Sequence, residues 1–290
     1  MYSVIQCLYN LPNVDFNVSV EVFPPKSKQD FVSVTDDYLA SRYNVLPKFV
    51  SLTCGAAGVA QHNSYKLLLA LGSFVAAPTI LVHLIQVDKS FKTIQLTACS
   101  LARLGISKLL LLRGDCYVSS QLRLDLISGF RALRKARCSS LFCATTSYPE
   151  IHSLSANARL EWDCAQAKQA LGCSYSLTQF FNFAEAFAKV SVRSCLLSRL
   201  WNIPGFVVSV KRPLNCRISV KCGVYVHNFV RRLIATGCSH ALMARAMFVY
   251  ALAKLYSMIS NNVCWLHVFV LNKFRTLRKL VWLLSFPLSA

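Results

Sequence analysis

One carboxylate, Glu21, stands inside an apolar stretch, VSVEVFPPKS (Val18 to Ser27). Removal from water favours the neutral form of a carboxyl group, so one placed there can hold a proton at neutral pH and pass it to a reacting group. Acidic residues are scarce, 12 against 32 lysines and arginines, so their positions are informative. Six of the 12, Glu21, Asp88, Asp115, Glu150, Glu161 and Asp163, lie in or near the ends of apolar runs. Other groups able to bind a ligand or move a proton close the same runs. They are Thr53 ahead of CGAAG, His83 and Gln86, Arg113 and Gly114 in LLLLRGD, and Tyr148 and His152 in YPEIH. Gln179 in SLTQFF, and Asn272 and Lys273 after WLHVFVL, complete the set. No metal is expected, since the 13 cysteines include no CxxC pair and no spacing suited to zinc.

The elements that must position these residues form a repeating beat. Short β-rich runs recur at Val18–Phe23, Lys48–Thr53, Thr79–Val87, Lys108–Gly114, Leu141–Thr146, Ser174–Phe181, Ile203–Val210 and Trp265–Leu271. Most are continuously apolar rather than alternating, as strands buried on both faces of a parallel sheet are. Between them lie helix-like segments. In LDLISGFRALRKA (Leu124 to Ala136), Leu126, Ile127, Phe130 and Leu133 share one face, with basic residues opposite. The last interval is longer and holds two helices, VHNFVRRLIA and ALMARAMFVYALAKLYSMI. Eight parallel strands with intervening helices make an α/β chain, a (β/α)8 TIM barrel, expected as a single domain over residues 1–290. Active sites of such barrels lie at the C-terminal strand ends, where the polar residues above fall.

Each of those residues also has a plainer reading. Glu21 fits a barrel-interior carboxylate paired with a lysine, RGD fits a strand-ending turn, and His83 fits a hydrogen-bonded core histidine. CGAAG lacks the spacing of a dinucleotide fingerprint or a P-loop.

Composition excludes several classes. With 54% hydrophobic and 15% charged residues, the chain is not disordered. Its net charge of +20 suits anionic partners, yet RALRKAR (Arg131 to Arg137) and KFRTLRK (Lys273 to Lys279) read as solvated helix faces without a nucleic-acid signature. No Asp or Glu follows Glu185. The apolar stretch Leu67 to Val87 is long enough to span a bilayer, but Gly72, Ser73 and Pro78 divide it into a helix end and a strand start. No membrane and no nucleic acid are therefore expected as partners. The N-terminus lacks the features of a signal peptide, and the cysteines suit a reducing compartment, so a cytoplasmic location is expected. The apolar fraction favours a homo-oligomer.

Taken in order, the strand ends resemble the methylenetetrahydrofolate reductase family, flavoprotein barrels that make 5-methyltetrahydrofolate. The similarity runs from about Val18 to Leu280. VSVEVFPPKS is similar to the family's opening strand, FVSLTCGAAG to its second and HLIQVDKS to its third. LLLLRGD, YPEIH, LTQFF, IPGFVVSV and LHVFVLNK follow in the family's order. The resemblance implies Glu21 as the general acid, and Asp115 beside the flavin ring as a second catalytic residue that tunes its potential. It implies an FAD site of Thr53, Cys54, Gly55, Ala56, His83, Arg113, Gly114, Asp115, Tyr148 and His152, continued by Glu161, Cys164 and Lys168, with Lys168 at the flavin phosphates. Gln179 and Lys273 would bind the folate, and NADH or NADPH would supply the electrons.

The chain departs from the family in places. The loop after Asp115 is about four residues short, Glu161 and Cys164 replace an Asp and an Asn, Pro213 or Leu214 replaces a Gln, and Lys273 replaces an Arg. Lysine keeps the charge but loses the bidentate fork. Two alternatives follow from these features: a basic protein binding membranes or anionic surfaces, and a degenerate barrel kept as a scaffold.

Overall fold

The structure, a computed structural model, describes residues 17–25, 27, 32–38, 47–53, 61–73, 75–76, 79–86, 89–114, 125–135, 141–151, 155, 157–197, 200–207, 218–272, 274 and 277. Eight strands close into one parallel barrel in sequence order. They are β1 (Asn17–Val22), β2 (Val50–Leu52), β3 (Ile80–Ile85), β4 (Lys108–Leu112), β5 (Phe142–Ser147), β6 (Cys173–Phe180), β7 (Trp201–Val207) and β8 (Trp265–Phe269). β8 pairs with β1 from Asn17↔Trp265 to Glu21↔Phe269, which closes the ring. The expected (β/α)8 architecture is therefore observed. β7 begins two residues earlier than its apolar run suggests, because Trp201 and Asn202 already pair with Tyr175 and Ser176.

Helices follow the strands: α1 (32–38), α2 (Gln61–Gly72), α3 (Phe91–Arg103), α4 (Asp125–Lys135), α5 (Ala158–Ala170) and α6 (Ala184–Leu197). Between β7 and β8 come α7 (218–222), α8 (Asn228–Ala235) and α9 (His240–Ser260). Their starts are set by side chains that satisfy otherwise orphaned amides. Ser90 accepts from Thr93 N at 3.1 Å, Asn157 from Leu160 N at 3.0 Å and Ser239 from Leu242 N at 3.3 Å. The stretch from Leu67 divides as expected, into the end of α2 and then β3. Among the described residues, α9 is the one helix long and apolar enough to cross a membrane. Its Met243, Met247, Leu255 and Met258 are buried within this fold.

Strand alternation makes two cores. Val18, Val20 and Val22 of β1, with Leu52, Val82, Leu109 and Val268, belong to the large outer core shared with the helices. Phe49, Leu81, Leu110, Ala144, Leu177 and Ile203 form a smaller cluster, contributed by successive strands, that fills the barrel itself. Ser19 and Glu21 alternate with the outer valines, so β1 sends its polar residues to that interior.

Two ionic groups tie the C-terminal strand ends together. Glu150, just past β5, accepts backbone N–H groups from Asn182 (2.5 Å), Phe183 (3.3 Å) and Tyr225 (2.9 Å). It joins the tips of β5 and β6 to the segment before α8. Lys254 of α9 is buried, donates to Phe181 O at 2.6 Å and lies 4.7 Å from the centroid of the Phe206 ring. Burial pulls its amine down to about 7, against the opposing pull of Glu150.

Gly205 of β7 leaves no room for a side chain. An added Cβ would overlap the carbonyl oxygen of Thr178 and come within 2.5 Å of the Phe269 ring. Backbone cannot yield as a flexible side chain can. Gly205→Ala should therefore destabilise the fold by about 1–3 kcal/mol, read from the urea midpoint at constant m-value. A change below about 0.5 kcal/mol would mean the barrel is looser here than its contacts imply.

Candidate active site

Glu21 is 7% exposed and, among the described residues, is the one buried carboxylate. Its Oε2 lies 3.7 Å from Nε2 of His83 on β3 and 4.0 Å from Nε2 of His267 on β8. No lysine stands within ion-pair distance of it among the described residues, so histidines take the place of the lysine partner considered from the sequence. His83 Nε2 is also hydrogen-bonded to Ser51 Oγ on β2. Burial lowers His83 to about 4, opposed by Glu21 and reinforced by His267, so the ring is neutral at pH 7. The centre thus combines one carboxyl with two imidazoles, supplied by β1, β3 and β8 in a site closed to water. Such an arrangement can hold and deliver a proton.

Thr53 follows β2, is buried and donates from Oγ1 to Val22 O at 3.5 Å. Its own carbonyl accepts from Ser64 Oγ at 3.2 Å. Arg113 and Gly114 follow β4 and are half-buried. Gly114 has φ of 99°, which favours glycine there. Gln179 on β6 is half-buried, with Oε1 accepting from Phe180 N at 3.0 Å. Cys54, Gly55, Ala56, Asp115, His152 and Lys273 lie outside the described residues.

Tyr148, Glu161 and Lys168 do converge. They line a cavity of about 460 Å3 between the end of β5, α5 and α6. Lys168 is not the solvated helix lysine that its position on α5 allows. It is half-buried, donates to Thr146 O at 2.9 Å, and is lowered by burial against the pull of Cys164 and Glu161. Burial likewise raises Tyr148, whose hydroxyl is hydrogen-bonded to Thr146. Glu161 accepts from Ser155 Oγ. Cys164 is exposed. Across the cleft, Arg193 of α6 lies 4.4 Å above the Trp162 ring, and Lys189 adds a second cation.

His267, Ser51 and Ser19 are missing from the set that the strand ends suggest. They are buried mid-strand, below the tips. A signal for two of them existed: VSVEV alternates polar and apolar residues, and WLHVF carries a single polar residue within an apolar run.

A (β/α)8 barrel with a buried proton-handling centre in its strands and a ligand-sized cleft at its C-terminal face is the class that this fold and site define. Within that class the sequence is specific. The methylenetetrahydrofolate reductase family profile matches residues 8–281, and the chain belongs to this family. It is 28% identical over 196 residues to the 5,10-methylenetetrahydrofolate reductase of Buchnera aphidicola subsp. Acyrthosiphon pisum, covering 63% of this chain and 62% of that one. It is 28% identical over 217 residues to methylenetetrahydrofolate reductase 2 of Schizosaccharomyces pombe, covering 69% of this chain and 34% of that one. The aligned region is thus under two thirds of either relative's length. The fold is similar to that of an uncharacterized protein from Clostridium thermocellum that binds two copies of 5-methyl-5,6,7,8-tetrahydrofolic acid. The TM-score is 0.62 at 11% identity, over 96% of this chain and 99% of that one.

The depressed His83 makes stability depend on pH. An unfolded histidine takes up a proton below about 6.5, whereas the folded ring stays neutral to about 4. The unfolded state therefore binds more protons across that window, and stability falls as pH falls through it, by about 3 kcal/mol from this residue. His83→Asn should flatten that part of the slope. Urea unfolding at pH 6.5 and 4.5 tests it, and equal slopes in both proteins would show that His83 is not the group responsible.

Proposed function

We propose that the chain reduces 5,10-methylenetetrahydrofolate to 5-methyltetrahydrofolate, with FAD at the C-terminal face of the barrel and NADH or NADPH as electron donor. The observation that carries this reading is the isolated Glu21 carboxyl, buried between two imidazoles in a chain of this family. In the substrate a methylene bridges two nitrogens. Opening that ring requires a proton on the departing nitrogen, after which the carbon is an iminium able to accept hydride. Glu21 is suited to give that proton, because its surroundings exclude water and hold no cation among the described residues. His83, neutral at pH 7 and hydrogen-bonded to Ser51, leaves Glu21 as the candidate donor. FAD, when bound, carries electrons from the nicotinamide to the folate.

The residues present fit such a cofactor. The cleft beside β5 sets cations, Lys168, Lys189 and Arg193, against apolar and aromatic walls that include Trp162, Phe183 and Ile151. That chemistry suits a flat ring carrying phosphate, and the volume is within the usual range for small-molecule sites. Lys168 and Tyr148 would hold the phosphate-bearing part, and Glu161 would accept from a hydroxyl. Thr53, Arg113 and Gly114, which follow their strands, and His83 within β3 would lie on the side of the ring. Folate binding by Gln179 and by Lys273, the role of Asp115 and a homo-oligomeric assembly belong to the same proposal. So does a cytoplasmic location.

Anaerobic mixing decides the main point. NADH or NADPH should bleach the bound flavin, and methylenetetrahydrofolate should restore its absorbance; failure to reoxidise would remove the reductase reading. Glu21→Gln should keep bleaching and lose reoxidation by more than tenfold, over about 1.4 kcal/mol in barrier. Survival of the second step would take the acid role away from Glu21. Lys168→Ala should weaken FAD binding by one to two decades, the worth of one charge-assisted contact at about 1.5–3 kcal/mol. Titration of apoprotein with FAD measures this, and equal affinities would place the phosphates elsewhere.

A further inference from the structure

Strand β6 carries one residue too many for its neighbour. Leu177 pairs with Ile203 and Phe180 with Gly205, so three steps along β6 match two along β7. The extra residue reverses the strand's alternation. Leu177 lies in the barrel cluster, whereas Phe181 stacks at 5.4 Å on Phe187 of α6 in the outer core. Four residues apart on a regular strand, the two would share a face. A bulge of this kind interrupts the ladder and re-aims a side chain. From Ser176 to Phe181 that side chain is Gln179, half-buried where its neighbours are buried.

An interrupted ladder leaves backbone groups to be satisfied by other means. Here one hydroxyl serves both strands. Thr178 Oγ1 accepts from Gly205 N at 2.8 Å and donates to Gln179 O at 2.9 Å. Thr178 is 1% exposed, and a Cβ on Gly205 would overlap its carbonyl oxygen, so the approach of the two strands depends on glycine. The next amide, Phe180 N, donates to Gln179 Oε1 at 3.0 Å, which fixes the rotation of the side-chain amide. Beyond the bulge the chain is pinned, by Lys254 at Phe181 O and by Glu150 at Asn182 N and Phe183 N. The aim of Gln179 is therefore decided at Thr178. We propose that Thr178 is a positioning residue for the folate, its hydroxyl closing the bulge between β6 and β7 and so holding the Gln179 amide towards the barrel mouth. This deepens the reductase reading and rests on it for the identity of what Gln179 meets.

The test compares Thr178→Val, which keeps the shape and loses the hydroxyl, with Thr178→Ser, which keeps the hydroxyl. Proton–nitrogen NMR reads the Gln179 side-chain amide, assigned by its loss in Gln179→Leu. The Val variant should move that signal towards the position of free glutamine, and the Ser variant should leave it in place. An unmoved signal in the Val variant would overturn the proposal whatever the activity. Kinetics give the second readout. The Val variant should raise KM for the folate about tenfold and the Ser variant recover most of that, with flavin bleaching by the nicotinamide within about twofold in both. Equal slowing of both half-reactions, or equal loss in the Val and Ser variants, would make Thr178 a packing residue and sink the idea. If the Val variant does not fold, the wild type decides: its Gly205 amide should exchange slowly with deuterium, and fast exchange would mean that the hydroxyl does not hold it. If the wild-type chain does not reduce the folate, the reductase reading fails on its own, and the Gln179 and Gly205 amides then decide whether Thr178 sets the bulge.

Discussion

A closed barrel of eight strands has no wet interior into which a carboxyl group can turn. Burying an isolated charge there costs several kcal/mol, so Glu21 can remain only as a neutral acid or beside compensating groups. The neighbours here are a histidine lowered to about 4 by burial and a second imidazole out of hydrogen-bond reach at 4.0 Å. The strand pleat enforces the arrangement, because Ser19 and Glu21 face inward only while Val18, Val20 and Val22 face the helices. A one-residue slip of β1 would exchange the two sets and lose both the outer core and the centre.

The architecture was legible because parallel strands buried on both faces give long apolar runs, and their spacing gives the helices. The buried carboxyl of Glu21 was legible for the opposite reason, as a break in such a run. Its partners were not. His267 lies 246 residues from Glu21 and reaches it only through the closing pair of strands, a contact that local pattern cannot report. The same limit hid Glu150's role: near a strand end it reads as an active-site acid, yet its oxygens bind three backbone amides. Lys254 was invisible in another way. A lysine within an apolar helix reads as a solvated break in its pattern, and only the packing against Phe181 and Phe206 shows it to be buried.

Lys168 shows what a sequence assignment leaves out. The family resemblance assigns it to the flavin phosphates, and the structure shows it lining the cleft between β5, α5 and α6. Its hydrogen bond to Thr146 O means that it is already held in place and partly stripped of water before any ligand arrives. A cation so held loses less conformational freedom on binding than a free surface lysine, which favours affinity over mere electrostatic attraction.

The two working regions come from different arcs of the ring. The proton centre uses β1, β2, β3 and β8, while the cleft uses the ends of β5 and β6 with α5 and α6. Strand order puts these arcs across the barrel mouth from one another. Anything anchored by Lys168 and reacting under the control of Glu21 must therefore be long, with a charged end in the cleft and its reactive atoms over the mouth. A dinucleotide flavin has that shape. The same separation means that Glu161 can change at the cleft without touching the contacts of Glu21, whose neighbours are fixed by barrel closure.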